Sequence, residues 1–186
     1  MRIVGGRLRG LKLAEVGEGD PSAHLRPTTD RVREAMFNLI ENSAGIPLDG
    51  ARVLDLFAGT GALGLEALSR GAARVAFVDD GATARALLRA NVEKARAMGA
   101  TDIWRRNATD LGPNRGAGYD VVFLDPPYGQ RLGEAALGSA ITGGWLAPGA
   151  LIAWEEDTAP VSPPGMAQID QRRYGGTLVT LLRAAG

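Results

Sequence analysis

Two short stretches carry residue types whose spacing could do chemistry. One is Val53-Leu-Asp-Leu-Phe-Ala-Gly-Thr-Gly-Ala-Leu-Gly64, a run of β-formers that ends in glycines at 59, 61 and 64. The other is Val121-Val-Phe-Leu-Asp-Pro-Pro-Tyr128. Each begins as a strand covered on both faces would, and ends in residues such a strand would not choose. Functional groups in open α/β sheets gather beyond the carboxyl ends of the strands, so the two tips are expected to share one site.

Gly59, Gly61 and Gly64 satisfy G-x-G-x-x-G, and Asp79 follows Gly59 by twenty residues. Glycines let the backbone turn sharply against a ligand, and the helix that follows offers free N–H groups. The pattern alone does not separate a dinucleotide site from an adenosyl site. Asp55 separates them: its carboxylate would repel a pyrophosphate but suits a ligand carrying positive charge. S-adenosylmethionine carries both a sulfonium and an ammonium. Asp79, at the end of the second strand and followed by Asp80, is placed to accept hydrogen bonds from ribose hydroxyls. A glycine-rich turn with no ligand is the plain alternative.

In the second stretch, Pro126 and Pro127 end the strand and fix φ at two successive residues. An ionised Asp125 only accepts hydrogen bonds, as do the adjacent carbonyls. A cluster rich in acceptors suits a group that must give up N–H bonds, namely the exocyclic amine of a nucleobase. Holding both N–H groups favours a more tetrahedral nitrogen, whose lone pair can then attack a sulfonium methyl in line. Tyr128 supplies a flat face for the base, and a target in folded nucleic acid must leave its stack. The alternative here is a purely structural strand-terminating turn. With no cysteine in the chain, a thiol attack on a pyrimidine carbon is excluded.

These tips need a scaffold. At 186 residues, 45% hydrophobic and 23% charged, the chain suits one α/β domain with an appendage. Strands are expected over 52–55, 74–78, 101–106, 120–124 and 150–154, with helices over 61–70, 82–98 and 131–144. Gly71 and Gly99 are placed for left-handed helix caps. The pair 167–174 and 177–183 around Gly175-Gly176 reads as a terminal hairpin. The expected architecture is therefore Rossmann-like, a mostly parallel seven-stranded sheet with an antiparallel C-terminal hairpin.

The amino-terminal region has a different character. Residues 1–13 suit a small β-hairpin, too short to be stable unless docked, and 14–25 read as a polar loop. A helix is expected from about residue 30, capped by Thr28, Thr29 or Asp30, with Val32, Met36, Phe37 and Ile40 as its apolar stripe. Twenty-one basic residues balance 21 acidic ones, but Arg2, Arg7, Arg9 and Lys12 have no acid among the first 12 residues. Arg26, Arg31 and Arg33 then face only Asp30. Such a basic segment points to a polyanionic partner. No apolar run approaches a membrane span and no signal-peptide pattern opens the chain, so the cytoplasm is expected. The single histidine, His24, argues against a histidine metal cluster.

These stretches, together with Arg26-Pro-Thr-Thr-Asp-Arg-Val-Arg-Glu-Ala-Met-Phe-Asn-Leu and the opening Arg-Ile-Val-Gly-Gly-Arg-Leu-Arg-Gly, resemble the bacterial small-subunit rRNA guanine-N2 methyltransferase family (the RsmD family). The glycine run and Asp-Pro-Pro-Tyr alone imply only an amino-methyltransferase; the two amino-terminal motifs make the resemblance specific. It implies methyl transfer from S-adenosylmethionine to N2 of a guanine in 16S rRNA, within the small ribosomal subunit or its precursor, by a monomer without a metal. It further implies that Asp55, Phe57, Ala58, Gly59, Thr60, Gly61, Asp79, Asp80, Asn107 and Ala108 bind the cofactor, and that Asp125, Pro126, Pro127 and Tyr128 form the catalytic turn. Arg2, Arg7, Arg9, Lys12, Arg26, Thr28 and Arg31 are the expected RNA contacts. The division that follows is an RNA-binding extension over 1–25 and a methyltransferase domain over 26–186. Asn107 stands where an acid is expected near the adenine, with Asp110 three residues on as an alternative. Competing readings are a DNA adenine-N6 methyltransferase, an NAD-dependent oxidoreductase and a non-catalytic ribosome assembly factor.

If four of the amino-terminal cations meet phosphates, the logarithm of the RNA association constant falls with that of salt at a slope of roughly −3. Replacing Arg7 and Arg9 with Ala should flatten that slope in a filter-binding titration while cofactor affinity stays unchanged. An unaltered slope would remove these residues from the interface.

Overall fold

A computed structural model describes residues 1–15, 29–43, 45 and 47–186. Seven strands form one sheet: β1 (Arg52–Leu56), β2 (Arg74–Val78), β3 (Thr101–Trp104), β4 (Tyr119–Leu124), β5 (Leu146–Glu156), β6 (Ala167–Tyr174) and β7 (Thr177–Arg183). Their order is β3-β2-β1-β4-β5-β7-β6. The first five are parallel, and β7 runs antiparallel to both β5 and β6. The helices are α1 (Asp30–Ser43), α2 (Ala62–Ser69), α3 (Ala82–Lys94) and α4 (Leu132–Thr142). Among the described residues no helix is long and apolar enough to cross a membrane.

Alternation along the central strands sorts the core into two layers. Val53, Val75, Phe77, Val121 and Phe123 face Met36, Phe37 and Ile40 of α1, Leu65 and Leu68 of α2, and Leu88 and Val92 of α3. Leu54, Leu56, Val122 and Leu124 face the other way, toward Ala136, Leu137 and Ala140 of α4 and Trp145. Gly64 sits where α2 crosses β2, and a Cβ there would lie 2.3 Å from the Phe77 ring. The third glycine of the motif is thus a packing residue.

The expected elements form, with local differences. Helix α2 ends as expected: Gly71 takes φ +108, the Gly71 N–H donates to the Leu68 carbonyl and the Ala72 N–H to that of Ala67. That is a Schellman cap. Gly99 does not cap α3. The helix stops at Lys94, and the same bonding pattern closes on Arg96 at φ +53, with Arg96 N–H on Glu93 and Ala97 N–H on Val92. Gly99 lies instead in a 3₁₀ turn, Met98–Ala100. In α1 the cap is Thr29, whose hydroxyl accepts from the Val32 N–H at 3.2 Å. Val32 is only half-buried; Arg33 joins the buried face instead.

The amino-terminal hairpin is minimal, an antiparallel bridge between Arg2 and Lys12, and it is docked. Ile3 and Leu13 lie in the core layer shared with α1 and α2. The Leu8 N–H donates to the Ser69 hydroxyl at 2.9 Å, and that hydroxyl donates to the Gly5 carbonyl at 2.5 Å. Glu66, fully buried in α2, holds the rest. One of its oxygens accepts from the Val4 N–H (2.9 Å) and Arg33 Nε (3.4 Å), the other from the Gly5 N–H (2.8 Å) and Arg70 Nε (3.0 Å). Arg33 is fully buried as well, bonding the Arg2 carbonyl and Asp30. It is a structural cation, not a surface one.

Glu66→Ala would take from buried Arg33 its one fully buried carboxylate partner, leaving the part-exposed Asp30, and would strip two backbone N–H groups of their acceptor. It should lower unfolding free energy by about 3–5 kcal/mol, read as a shift in urea midpoint. A loss under 1 kcal/mol would show that Asp30 alone suffices.

Candidate active site

The chain passes from β1 outward to β2 and β3, then returns to place β4 on the other side of β1. That reversal opens a crevice beyond the strand ends, where α/β sheets bind ligands. Leu56 is level with Leu124 in the ladder, so Phe57 and Asp125, the next residue on each strand, flank the same crevice. The two chemically distinctive stretches therefore meet.

Asp55 lies on the α2 side of β1 and is 1% exposed. It accepts from the Gly64 N–H at 3.0 Å, which moors the start of α2 to the strand. Burial pushes its carboxyl up to about 8; the Gly64 bond opposes the shift and the charge of Asp79 adds to it. The site therefore disfavours a bare negative charge at Asp55 and gains when a cation arrives beside it. Phe57 takes φ +60, Gly59 φ +57 and Gly61 φ +82, a turn of three left-handed residues ahead of α2. A Cβ on Gly61 would lie 2.3 Å from Leu88 Cδ1.

Asp79 joins two loops. One carboxylate oxygen accepts from the Gly59 N–H at 2.9 Å and the other from the Gly81 N–H at 2.8 Å. Each oxygen keeps a lone pair for a further donor, which suits a ribose diol. Burial raises its carboxyl, with the two backbone bonds opposing. Asp80 beside it is exposed. Thr60 is buried, and its carbonyl accepts from Asn91 Nδ2 at 2.9 Å; the same side chain exchanges hydrogen bonds with the Ala14 backbone. Asn91 thus ties the residues after the hairpin to the glycine turn.

After β3, Ala108 is buried and Asn107 exposed. The Asn107 carbonyl oxygen already accepts from the Thr109 N–H (2.9 Å) and the Thr109 hydroxyl (2.7 Å). With both lone pairs engaged, Asn107 offers the outside its amide N–H groups rather than the acceptor expected of it. Asp110 is exposed.

Beyond β4, Asp125, Pro127 and Tyr128 are half-buried and Pro126 is buried. The Tyr128 hydroxyl donates to Glu155 Oε1 on β5 at 3.1 Å and lies 3.3 Å from the Thr177 hydroxyl on β7. Its pKa is raised, first by burial and then by the Glu155 and Asp125 charges, with the Thr177 bond opposing. The ring is thus held at its far end. Glu155 and Thr177 carry no motif, so sequence spacing could not have found them; Glu66 could have been noticed as the one charge in the otherwise apolar run of α2.

Arg7 and Arg9 are exposed at the hairpin tip, where the Arg7 N–H bonds the Ser69 carbonyl. That is the carboxyl end of α2, an eight-residue helix spanning about 12 Å from the glycine turn. Lys12 and Arg31 are exposed, and Arg2 lies 3.7 Å from the Asp30 carboxylate. Arg26, Thr28 and His24 fall outside the described residues. Among the described residues no group of three or more His, Asp or Glu side chains could hold a metal ion.

The family model described as Conserved hypothetical protein 95 matches residues 1–183. The chain is 41% identical over 158 residues to Ribosomal RNA small subunit methyltransferase D of Escherichia coli (strain K12), covering 84% of this chain and 75% of that protein. It is 34% identical over 181 residues to the protein of the same name from Haemophilus influenzae, covering 94% and 89%. Among solved structures it resembles the putative methyltransferase yhhF from Escherichia coli, with TM-score 0.84, 34% identity and coverage of 100% of this chain and 98% of that one.

Between its ordinary value of 3.8 and about 8, the folded chain keeps a proton on Asp55 that the unfolded chain has lost. Stability of the ligand-free protein should therefore fall as pH rises through that window. Asp55→Asn, which cannot ionise, should gain in melting temperature relative to the parent between pH 5 and pH 8. Parallel pH profiles would contradict the burial argument.

Proposed function

The chain belongs to the Conserved hypothetical protein 95 family, and from that premise we propose that it methylates the exocyclic N2 amine of a guanine in 16S rRNA, using S-adenosylmethionine. The observation that carries the reading is the meeting of the Asp55 glycine turn with the Asp125–Tyr128 turn across the β1/β4 crossover. The chain is an rRNA methyltransferase like its small-subunit relatives, and the guanine amine is the target that the family resemblance implies. The small subunit or its precursor is the proposed substrate.

The residues present fit the cofactor. A buried carboxyl at Asp55 favours a ligand with an ammonium and a sulfonium, and Asp79 offers paired acceptors to a ribose. Phe57, Ala58, Gly59, Thr60 and Gly61 form the turn against it, with Asp80, Asn107 and Ala108 toward the adenosine. When bound, S-adenosylmethionine supplies an electrophilic methyl group. Asp125 and the Pro126 carbonyl accept the N–H bonds of the guanine amine and aim its lone pair. That lone pair would take the methyl, the former carbon–sulfur electron pair staying on sulfur, and the N2 proton given up in exchange would pass to Asp125, which already accepts it. Tyr128, fixed by Glu155 and Thr177, stacks on the base.

The test is transfer of labelled methyl groups to small subunits from cells lacking this gene, followed by digestion to nucleosides. Label in N2-methylguanosine is expected. Label in N6-methyladenine would overturn the target, and no label with cofactor bound would leave an assembly factor. Asp125→Ala should reduce turnover by on the order of 10²–10³ while calorimetric cofactor affinity is nearly kept; near-parental turnover would remove Asp125 from the mechanism.

A further inference from the structure

Three described residues other than glycine have positive φ: Phe57, Arg96 and Arg131. Phe57 belongs to the glycine turn of the site, and Arg96 closes the Schellman cap of α3. Arg131, at φ +54 and ψ +27, is the N-cap of α4 and has no comparable local reason. Its side chain does not cap the helix. Glycine would adopt this conformation freely, and asparagine or aspartate would tolerate it and cap as well. A cation is moreover the wrong charge for the positive end of a helix.

No contact among the described residues compensates. Arg131 is exposed, and its side chain makes no hydrogen bond or ion pair with any described residue. The acid on the first turn of α4, Glu134, accepts from the Val161 N–H at 3.2 Å instead. Local strain that the fold does not use is a pointer to a partner outside the chain. Position says which partner. Arg131 follows Tyr128 by three residues, so the two Cα atoms are at most about 11 Å apart, and the exposed side chain starts within a few residues of the turn proposed to hold the target base. A planar, always-charged fork suits a phosphate.

We propose that Arg131 binds an RNA phosphate neighbouring the extruded nucleotide, an inference that rests on the rRNA methyltransferase reading above. The interface then has two separate parts, the basic hairpin tip at one end of α2 and Arg131 beside the catalytic turn.

Three substitutions separate charge from backbone. Arg131→Gly removes the guanidinium and relaxes the backbone, so it should melt at or above the parental temperature. It should nonetheless weaken binding of unmethylated small subunits roughly tenfold and flatten the salt slope by about 0.7, with cofactor affinity unchanged. Arg131→Ala should lose the same binding without the stability gain, and Arg131→Lys should keep most of the slope. Parental affinity and slope in Arg131→Gly would overturn the proposal while leaving the methyltransferase reading intact. Failure of the parent protein to bind or methylate small subunits would overturn both.

Discussion

Everything else in the amino-terminal half depends on one buried carboxylate. Glu66 would be costly in the core by itself, since a charge removed from water is stabilised only by close partners. Here two arginines and two backbone N–H groups supply them. Those four donors come from the hairpin, α1 and the C-cap of α2, so a single side chain fixes the mutual placement of three elements. The hairpin could not stand as two short strands in water. With Glu66 and Ser69 receiving its backbone and Ile3 in the core, it becomes part of the surface of α2. The other end of that helix is the glycine turn, so the same helix that anchors the basic segment also positions the glycine side of the crevice.

A second pair of carboxylates governs the crevice. Asp55 and Asp79 accept backbone N–H groups of Gly64, Gly59 and Gly81, so the acids that would meet a ligand are the ones that shape its pocket. Burial raises both carboxyls, and a neighbouring charge adds to each, Asp79 at Asp55 and Asp80 at Asp79. The cost is relieved by a cationic ligand and made worse by an anionic one, which is a physical ground for an adenosyl sulfonium over a dinucleotide on a shared glycine pattern.

How much of this was legible depended on whether the cause was local. Strand and helix positions came out nearly as expected because parallel buried strands, glycine caps and the Gly175 turn leave signals within a few residues. Gly99 misled because a Schellman cap tolerates a non-glycine such as Arg96 when its two N–H bonds are made. Arg33 read as a surface cation, since its partner Glu66 is 33 residues away. Asn107 stands where an acid was expected, and only the fold reveals that Thr109 occupies its carbonyl oxygen. The glycine turn and the Asp125–Tyr128 turn were legible because their distinctive residues are contiguous; their supports on other strands were not.

The terminal hairpin shows what those supports do. Its type II′ turn, with Gly175 at φ +61, returns the chain so that β7 inserts between β5 and β6. That insertion sets Val179 opposite Glu155 and leaves Thr177, at the start of β7, against the Tyr128 hydroxyl. A tyrosine on a loop after two prolines has a fixed backbone but a free χ angle. Two hydroxyl contacts from different strands remove that freedom, so the entropy of orienting the ring is lost on folding and would not be lost again on binding a ligand. A phenylalanine would stack as well but would forfeit this tether. The antiparallel edge, which could pass for a cap on an otherwise parallel sheet, is thereby joined to the Asp125–Tyr128 turn through one phenol.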